Sequence, residues 1–145
     1  MELLVGDTLY FSADDGSTGR ELWAHNTSNN SDPWQVADIN SGGGHSDPGK
    51  HLSIVIDDVL YFSADDGSTG GEFYAYNTSN GSDRGWWLTS SVVQRGSSPG
   101  DKMQILVDDT LYFDAKGGNA VGANCTLHYL NLAARRGYLQ RYRSK

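Results

Sequence analysis

The eleven residues Leu9-Tyr10-Phe11-Ser12-Ala13-Asp14-Asp15-Gly16-Ser17-Thr18-Gly19 return unchanged as Leu60-Tyr61-Phe62-Ser63-Ala64-Asp65-Asp66-Gly67-Ser68-Thr69-Gly70. Comparing residues 8–32 with 59–83, 19 of 25 positions are identical. Leu111-Tyr112-Phe113 opens a third, degenerate copy, so the Leu-Tyr-Phe triplets stand 51 residues apart each time. Identity of that order is the trace of a duplicated structural unit. The division that follows is unit one at 1–51, unit two at 52–102, a degenerate unit three at 103–138 and a basic tail at 139–145.

Each unit reads as short strands punctuated by turns. Asp57-Asp58 separates Leu52-Ser53-Ile54-Val55-Ile56 from Val59-Leu60-Tyr61-Phe62-Ser63-Ala64, the pattern of a two-residue hairpin. Gly6-Asp7 and Asp108-Asp109 hold the same place in the other units. The Asp-Asp-Gly-Ser-Thr-Gly run is a turn of residues that tolerate positive φ. A third strand follows at Glu21-Leu22-Trp23-Ala24-His25 and Glu72-Phe73-Tyr74-Ala75-Tyr76, and a fourth at Trp34-Gln35-Val36-Ala37-Asp38-Ile39. In unit three, Thr126-Leu127-His128-Tyr129-Leu130-Asn131 aligns with Glu21–Asn26 once three extra residues are allowed. Trp23 and Trp34 are expected in the core.

Four strands in about 50 residues is the pattern of a β-propeller blade, so the expected fold class is all-β, built of propeller blades. Rings close with about four to eight blades. Three units therefore imply an incomplete propeller, either a fragment of a longer repeat array or one completed by a homo-oligomer, two chains supplying six blades.

Composition agrees with this class. The 145 residues include 18 Gly and 16 aromatics (4 Trp, 8 Tyr, 4 Phe), which favours strands and turns over helices. No apolar run is long enough for a membrane-spanning helix. The lone Cys125 excludes an internal disulfide and a cysteine zinc cluster within one chain. Net charge is −7, with every Asp and Glu lying between Glu2 and Asp114 and Arg135, Arg136, Arg141, Arg143 and Lys145 crowding the end. An acidic body repels phosphate backbones, so no nucleic-acid partner is expected. Met1 runs directly into strand-like sequence with no leader ahead of it, as in a cytosolic chain, a processed one or one cut from something longer.

The blocks Leu9-Tyr10-Phe11-Ser12-Ala13-Asp14-Asp15-Gly16, Gly19-Arg20-Glu21-Leu22-Trp23 and Val36-Ala37-Asp38-Ile39 together resemble the ELWxxDGT repeat proteins. The Asp-Gly-Thr of that pattern is replaced here by Asn26-Thr27-Ser28 and Asn77-Thr78-Ser79. The resemblance implies tandem repeats on a surface-exposed or secreted protein, hence an extracellular or cell-surface location. It implies no enzymatic activity.

Several residues are candidates for chemistry. The acidic turns offer Asp14, Asp15 and Glu21, and Asp65, Asp66 and Glu72, as oxygen ligands for calcium, although an EF-hand's alternating acids and final Glu are missing. The competing reading is a hairpin turn whose Asp and Ser cap the backbone. Asn26, Asn29, Asn77, Asn80 and Asn124 each begin an Asn-x-Ser/Thr sequon and are candidate glycosylation sites. Trp86 and Trp87 are adjacent, so on a strand they face opposite sides, and one is a candidate ligand contact. No nucleophile elbow, phosphate loop or metal-spaced histidine set occurs.

The expectation is a non-enzymatic surface or extracellular repeat module. It would bind protein, glycan or matrix partners through variable loops and use no cofactor, calcium being the one candidate. A self-assembling structural protein is the first alternative, and an enzyme completed only in a closed ring's channel is the second.

Overall fold

The computed structural model describes residues 1–68, 70–80, 98–116 and 125–131. Among them are three antiparallel sheets and no α-helix. Sheet one comprises β1 (Glu2–Val5), β2 (Thr8–Asp14), β3 (Arg20–Asn26) and β4 (Trp34–Ala37). Sheet two comprises β5 (Ser53–Ile56), β6 (Val59–Asp65) and β7 (Gly71–Asn77), and sheet three β8 (Gln104–Val107), β9 (Thr110–Lys116) and β10 (Cys125–Asn131). Within each sheet the spatial order follows the chain, and no sheet closes on itself. No helix among the described residues is long and apolar enough to cross a membrane.

The pairing register repeats with the sequence. Glu2 pairs with Phe11, Ser53 with Phe62 and Gln104 with Phe113. Phe11 faces Trp23, Phe62 faces Tyr74, and Phe113 is the Cα partner of His128. The two-residue turns set this register, because their first residue sits in the left-handed region in all three sheets: Gly6 at φ 56°, Asp57 at 53° and Asp108 at 49°. Aspartate tolerates that region better than most side chains, so the turn survives without glycine.

Alternation along a strand sends the Tyr of Leu-Tyr-Phe to one face and its Leu and Phe to the other. The tyrosine face of sheet one, with Tyr10, Leu22 and Ala24, packs on the Leu60, Phe62 and Tyr74 face of sheet two. The tyrosine face of sheet two, with Tyr61 and Phe73, packs in turn on Leu111 and Phe113 of sheet three. Sheet two is therefore covered on both sides, and β6 is buried from Val59 to Ala64. Ring pairs span both layers: Phe73 and Phe113 stack at 5.0 Å and 6°, and Tyr10 meets Tyr76 at 5.8 Å. Truncating a ring buried at such a layer, Phe62→Ala for instance, costs about 3–5 kcal/mol.

The chain crosses from sheet one to sheet two through a strap, Ser46-Asp47-Pro48-Gly49, which bonds to both. Ser46 N–H donates to Arg20 O at 3.0 Å, Asp65 N–H donates to Ser46 O at 2.9 Å, and Gly49 N–H donates to Ser63 O at 2.7 Å. The second strap contains Ser98, Pro99 and Gly100 and repeats the geometry, with Ser98 N–H on Gly71 O and Gly100 N–H on Asp114 O. Gly100, at φ 75°, has no room for a side chain, since a Cβ there would press on Leu52.

The four-stranded unit is present in sheet one. Sheets two and three show three strands each among the described residues, and the basic tail lies outside them. Trp34 departs from expectation. It is 43% exposed, because it begins the edge strand β4 just after Pro33, beyond the layer that Val36 joins.

Candidate functional site

The acidic turns bind their own backbone. Asp14 Oδ1 accepts from Gly16 N–H at 2.8 Å. Asp15 Oδ1 accepts from Ser17 N–H and Thr18 N–H at 2.8 Å each, and from the Thr18 hydroxyl at 3.0 Å. In the second copy, Asp65 Oδ1 accepts from Gly67 N–H at 2.7 Å, and Asp66 Oδ1 accepts from the Ser68 N–H and hydroxyl at 2.9 Å. These are Asx turns that substitute a carboxylate for a backbone acceptor. The Thr18 and Ser17 amides, which bond only the ionised form well, hold the Asp15 carboxyl well below the usual carboxylate range.

Glu21 has a different task. It shares the register of Trp23 and His25 on β3, yet it is fully buried, because it lies at the strap end of the strand and reaches across to the strap. Its Oε2 accepts from Ile39 N–H at 2.8 Å and from the Ser46 hydroxyl at 2.6 Å, and its Oε1 accepts from Ser46 N–H at 3.1 Å. A buried carboxylate is stable only when its lone pairs are used in this way. Glu72, its repeat equivalent, is also buried.

Of the acids proposed as calcium ligands in the two turns, Asp14, Asp15, Asp65 and Asp66 thus bond the amides of their own turns, Glu21 bonds the strap, and Glu72 is buried. No group of three or more His, Cys, Asp or Glu that could hold a metal ion occurs among the described residues. The physical reason is that the turn carboxylates serve local amides at the surface while the glutamates are drawn into the interior.

The loops after β3 and β7 are pinned alike. Thr27 donates its N–H and hydroxyl to Asp7 O at 2.7 and 2.9 Å, and Thr78 does the same to Asp58 O at 2.8 and 2.9 Å. Asn26 Oδ1 accepts from the Ser28 N–H and hydroxyl, and Asn77 Oδ1 from those of Ser79, at 2.9 and 2.7 Å in both cases. Each carboxamide oxygen is therefore bonded to the serine of its own sequon. Asn29 Oδ1 accepts from Ser31 N–H at 2.9 Å. From Thr27 to Trp34 every residue is exposed. Asn124, Trp86, Trp87 and the side chain of Asn80 lie outside the described residues.

Sequence reasoning passed over a third feature, the outer face of sheet one. Leu9, Phe11, His25 and Pro33, with Glu2 and Ser12, line a shallow groove of about 320 Å³. Trp23 Nε1 and His25 Nδ1 on this face, and Ser12 Oγ within β2, are shielded from water without a hydrogen-bond partner. The signal was available, since Phe11, Trp23 and His25 align with Phe62, Tyr74 and Tyr76 of the covered sheet two. On the opposite face, burial, followed by the nearby Tyr76, pushes the Tyr10 hydroxyl up to about 12. Tyr74 is likewise pushed up to about 12 by burial, then by Asp66.

No family model, curated protein or solved structure matches this chain.

Proposed function

We propose that this chain is a non-catalytic repeat scaffold of a surface-exposed or secreted protein. In this reading its three sheets are β-propeller blades of the ELWxxDGT type, and its loops at 26–33 and 77–85 contact protein, glycan or matrix partners. One observation carries the reading. The same Asn-Thr-Ser segment is fixed by the same hydrogen bonds in two units, and in unit one it launches an exposed run that ends on Trp34. A rigid base with an accessible, polar and aromatic tip is how scaffolds present variable contacts. Asp15 is committed to the amides of its own turn and Glu21 to the strap residue Ser46, which favours binding over catalysis.

The test is a loop exchange. Residues 27–33 are replaced by a Gly/Ser run of equal length, and both proteins are screened on a glycan array and against immobilised matrix proteins. Binding by the parent that disappears in the folded exchange variant is expected. A folded parent that binds nothing, or a variant that binds as the parent does, refutes the reading.

A further inference from the structure

We infer that a second copy of this chain docks on the outer face of sheet one through the outer face of its own sheet three, in the same head-to-tail sense that joins the sheets within one molecule. This goes beyond the display reading and does not depend on it.

The argument is positional. Within the molecule one contact is made twice, always the tyrosine face of one sheet on the Leu/Phe face of the next. Met1, Leu3 and Val5 of sheet one pack into the first layer, and Leu52, Ile54 and Ile56 of sheet two, their equivalents at the 51-residue repeat, pack into the second. The next set in the series is Met103, Ile105 and Val107 of sheet three, which are 38%, 52% and 48% exposed. The receiving side is equally regular. Leu60 and Phe62, then Leu111 and Phe113, are fully buried beneath a neighbour. Their counterparts Leu9 and Phe11 stay partly exposed in the groove of sheet one, and Leu4 beside them is 60% exposed.

Each molecule thus displays both halves of a contact that its own core already contains. Apolar faces of this kind mark interaction surfaces. The occupant is a second copy because the complementary half is present on the same chain, in the same register. By the repeat, the partner's Tyr112 comes to His25 as Tyr10 comes to Tyr76 at 5.8 Å. The contact is heterologous, so it closes a ring of two copies or continues as an open stack.

Sedimentation velocity across a concentration series, with Cys125 kept reduced, tests this. The parent is expected to sediment as a two-chain species or as a concentration-dependent series, both of which carry the contact. Leu4→Asp and Ile105→Asp each place a charge in one half, and each should weaken association about 100-fold or more. Both positions are already exposed, so both variants should fold, with melting temperatures within about 2 °C of the parent's when compared at a dilution where all are single chains. Mixed in equal amounts, the two variants should form a species of two chains, because each keeps the half that the other has lost. A parent that stays single-chain up to about 1 mM overturns the inference. So does association that survives either substitution alone, or a mixture that does not recombine. The loop-exchange variant should associate like the parent, which separates this outcome from the fate of the display reading.

Discussion

Replacing Glu21 tests whether the strap is held by a buried carboxylate. In Glu21→Gln one oxygen remains and can keep the Ile39 N–H and the Ser46 hydroxyl, now as neutral rather than charge-assisted bonds. The new NH₂ then faces Ser46 N–H, donor against donor, although that N–H retains Arg20 O at 3.0 Å. Weakening two bonds and losing a third at about 0.5–1 kcal/mol each gives about 2 kcal/mol. Glu21→Ala removes all three bonds, leaves the Ile39 N–H without its acceptor and opens a cavity, for about 4–5 kcal/mol. At about 3–4 °C per kcal/mol for a chain of this length, the melting temperature should fall by about 6–8 °C and 12–20 °C respectively. Differential scanning calorimetry at neutral pH reads both, and pairing each variant with Ser46→Ala should show a coupling of about 1 kcal/mol. Two variants melting within about 2 °C of the parent, or an alanine variant no worse than the glutamine one, would mean that the carboxylate is not what holds the strap.

Three further outcomes are expected. The Asp15 carboxyl is depressed in the folded state, so its contribution is present above the unfolded value of 3.8 and is lost as pH falls from there through the depressed value. Asp15→Asn keeps an acceptor but not the titration, and its melting temperature should decline less steeply than the parent's in that acid window. The Tyr10 and Tyr74 hydroxyls are raised from 10.0 to about 12, so their contribution is complete below pH 10 and disappears as pH rises through about 12. Absorbance at the phenolate band should show Tyr10 and Tyr74 among the tyrosines that ionise late and together with unfolding, and Tyr10→Phe should reduce that late step by one tyrosine. Finally, Ser63 and Ser12 hold equivalent positions with opposite prospects. Ser63 Oγ accepts from His51 N–H at 3.0 Å and Leu52 N–H at 3.2 Å, so Ser63→Ala should cost about 1–3 kcal/mol in urea unfolding. Ser12 Oγ has no partner, and Ser12→Ala should be neutral or slightly stabilising.

Much of the fold was legible because its signals are local. The two-residue turns at 6–7, 57–58 and 108–109 announce themselves by residue type, and strict alternation through Leu-Tyr-Phe assigns faces. The alignment of Thr126–Asn131 with Glu21–Asn26, made across three extra residues, matches the register, since Asn131 pairs with Thr110 as Asn26 pairs with Thr8. The acidic turns were read correctly as turn chemistry in one of their two readings. Glu21 was not legible, because its partners lie 18 and 25 residues away and only the folded strap brings them to it. A trace of the strap does exist in Ser46-Asp47-Pro48-Gly49 and Ser97-Ser98-Pro99-Gly100. Trp34 was misplaced because hydrophobicity favours the interior, whereas its position at the tip of an edge strand leaves nothing to cover it.

The straps also bear on cooperativity. A linker that merely tethered two sheets would let either one open alone. Here residues 46–49 donate to and accept from both sheets, and Pro48 within the strap is buried, as Pro99 is in the second strap. Opening sheet one therefore strips hydrogen bonds from β6, and opening sheet two strips them from the end of β3. Amide hydrogens on β2, β3 and β6 should then exchange with one shared opening free energy, as a single foldon, even though they belong to different repeats. Repeat chains are ordinarily treated as units coupled by their interfaces. In this chain the covalent crossing is itself part of the interface, so the smallest unit able to unfold on its own is larger than one repeat.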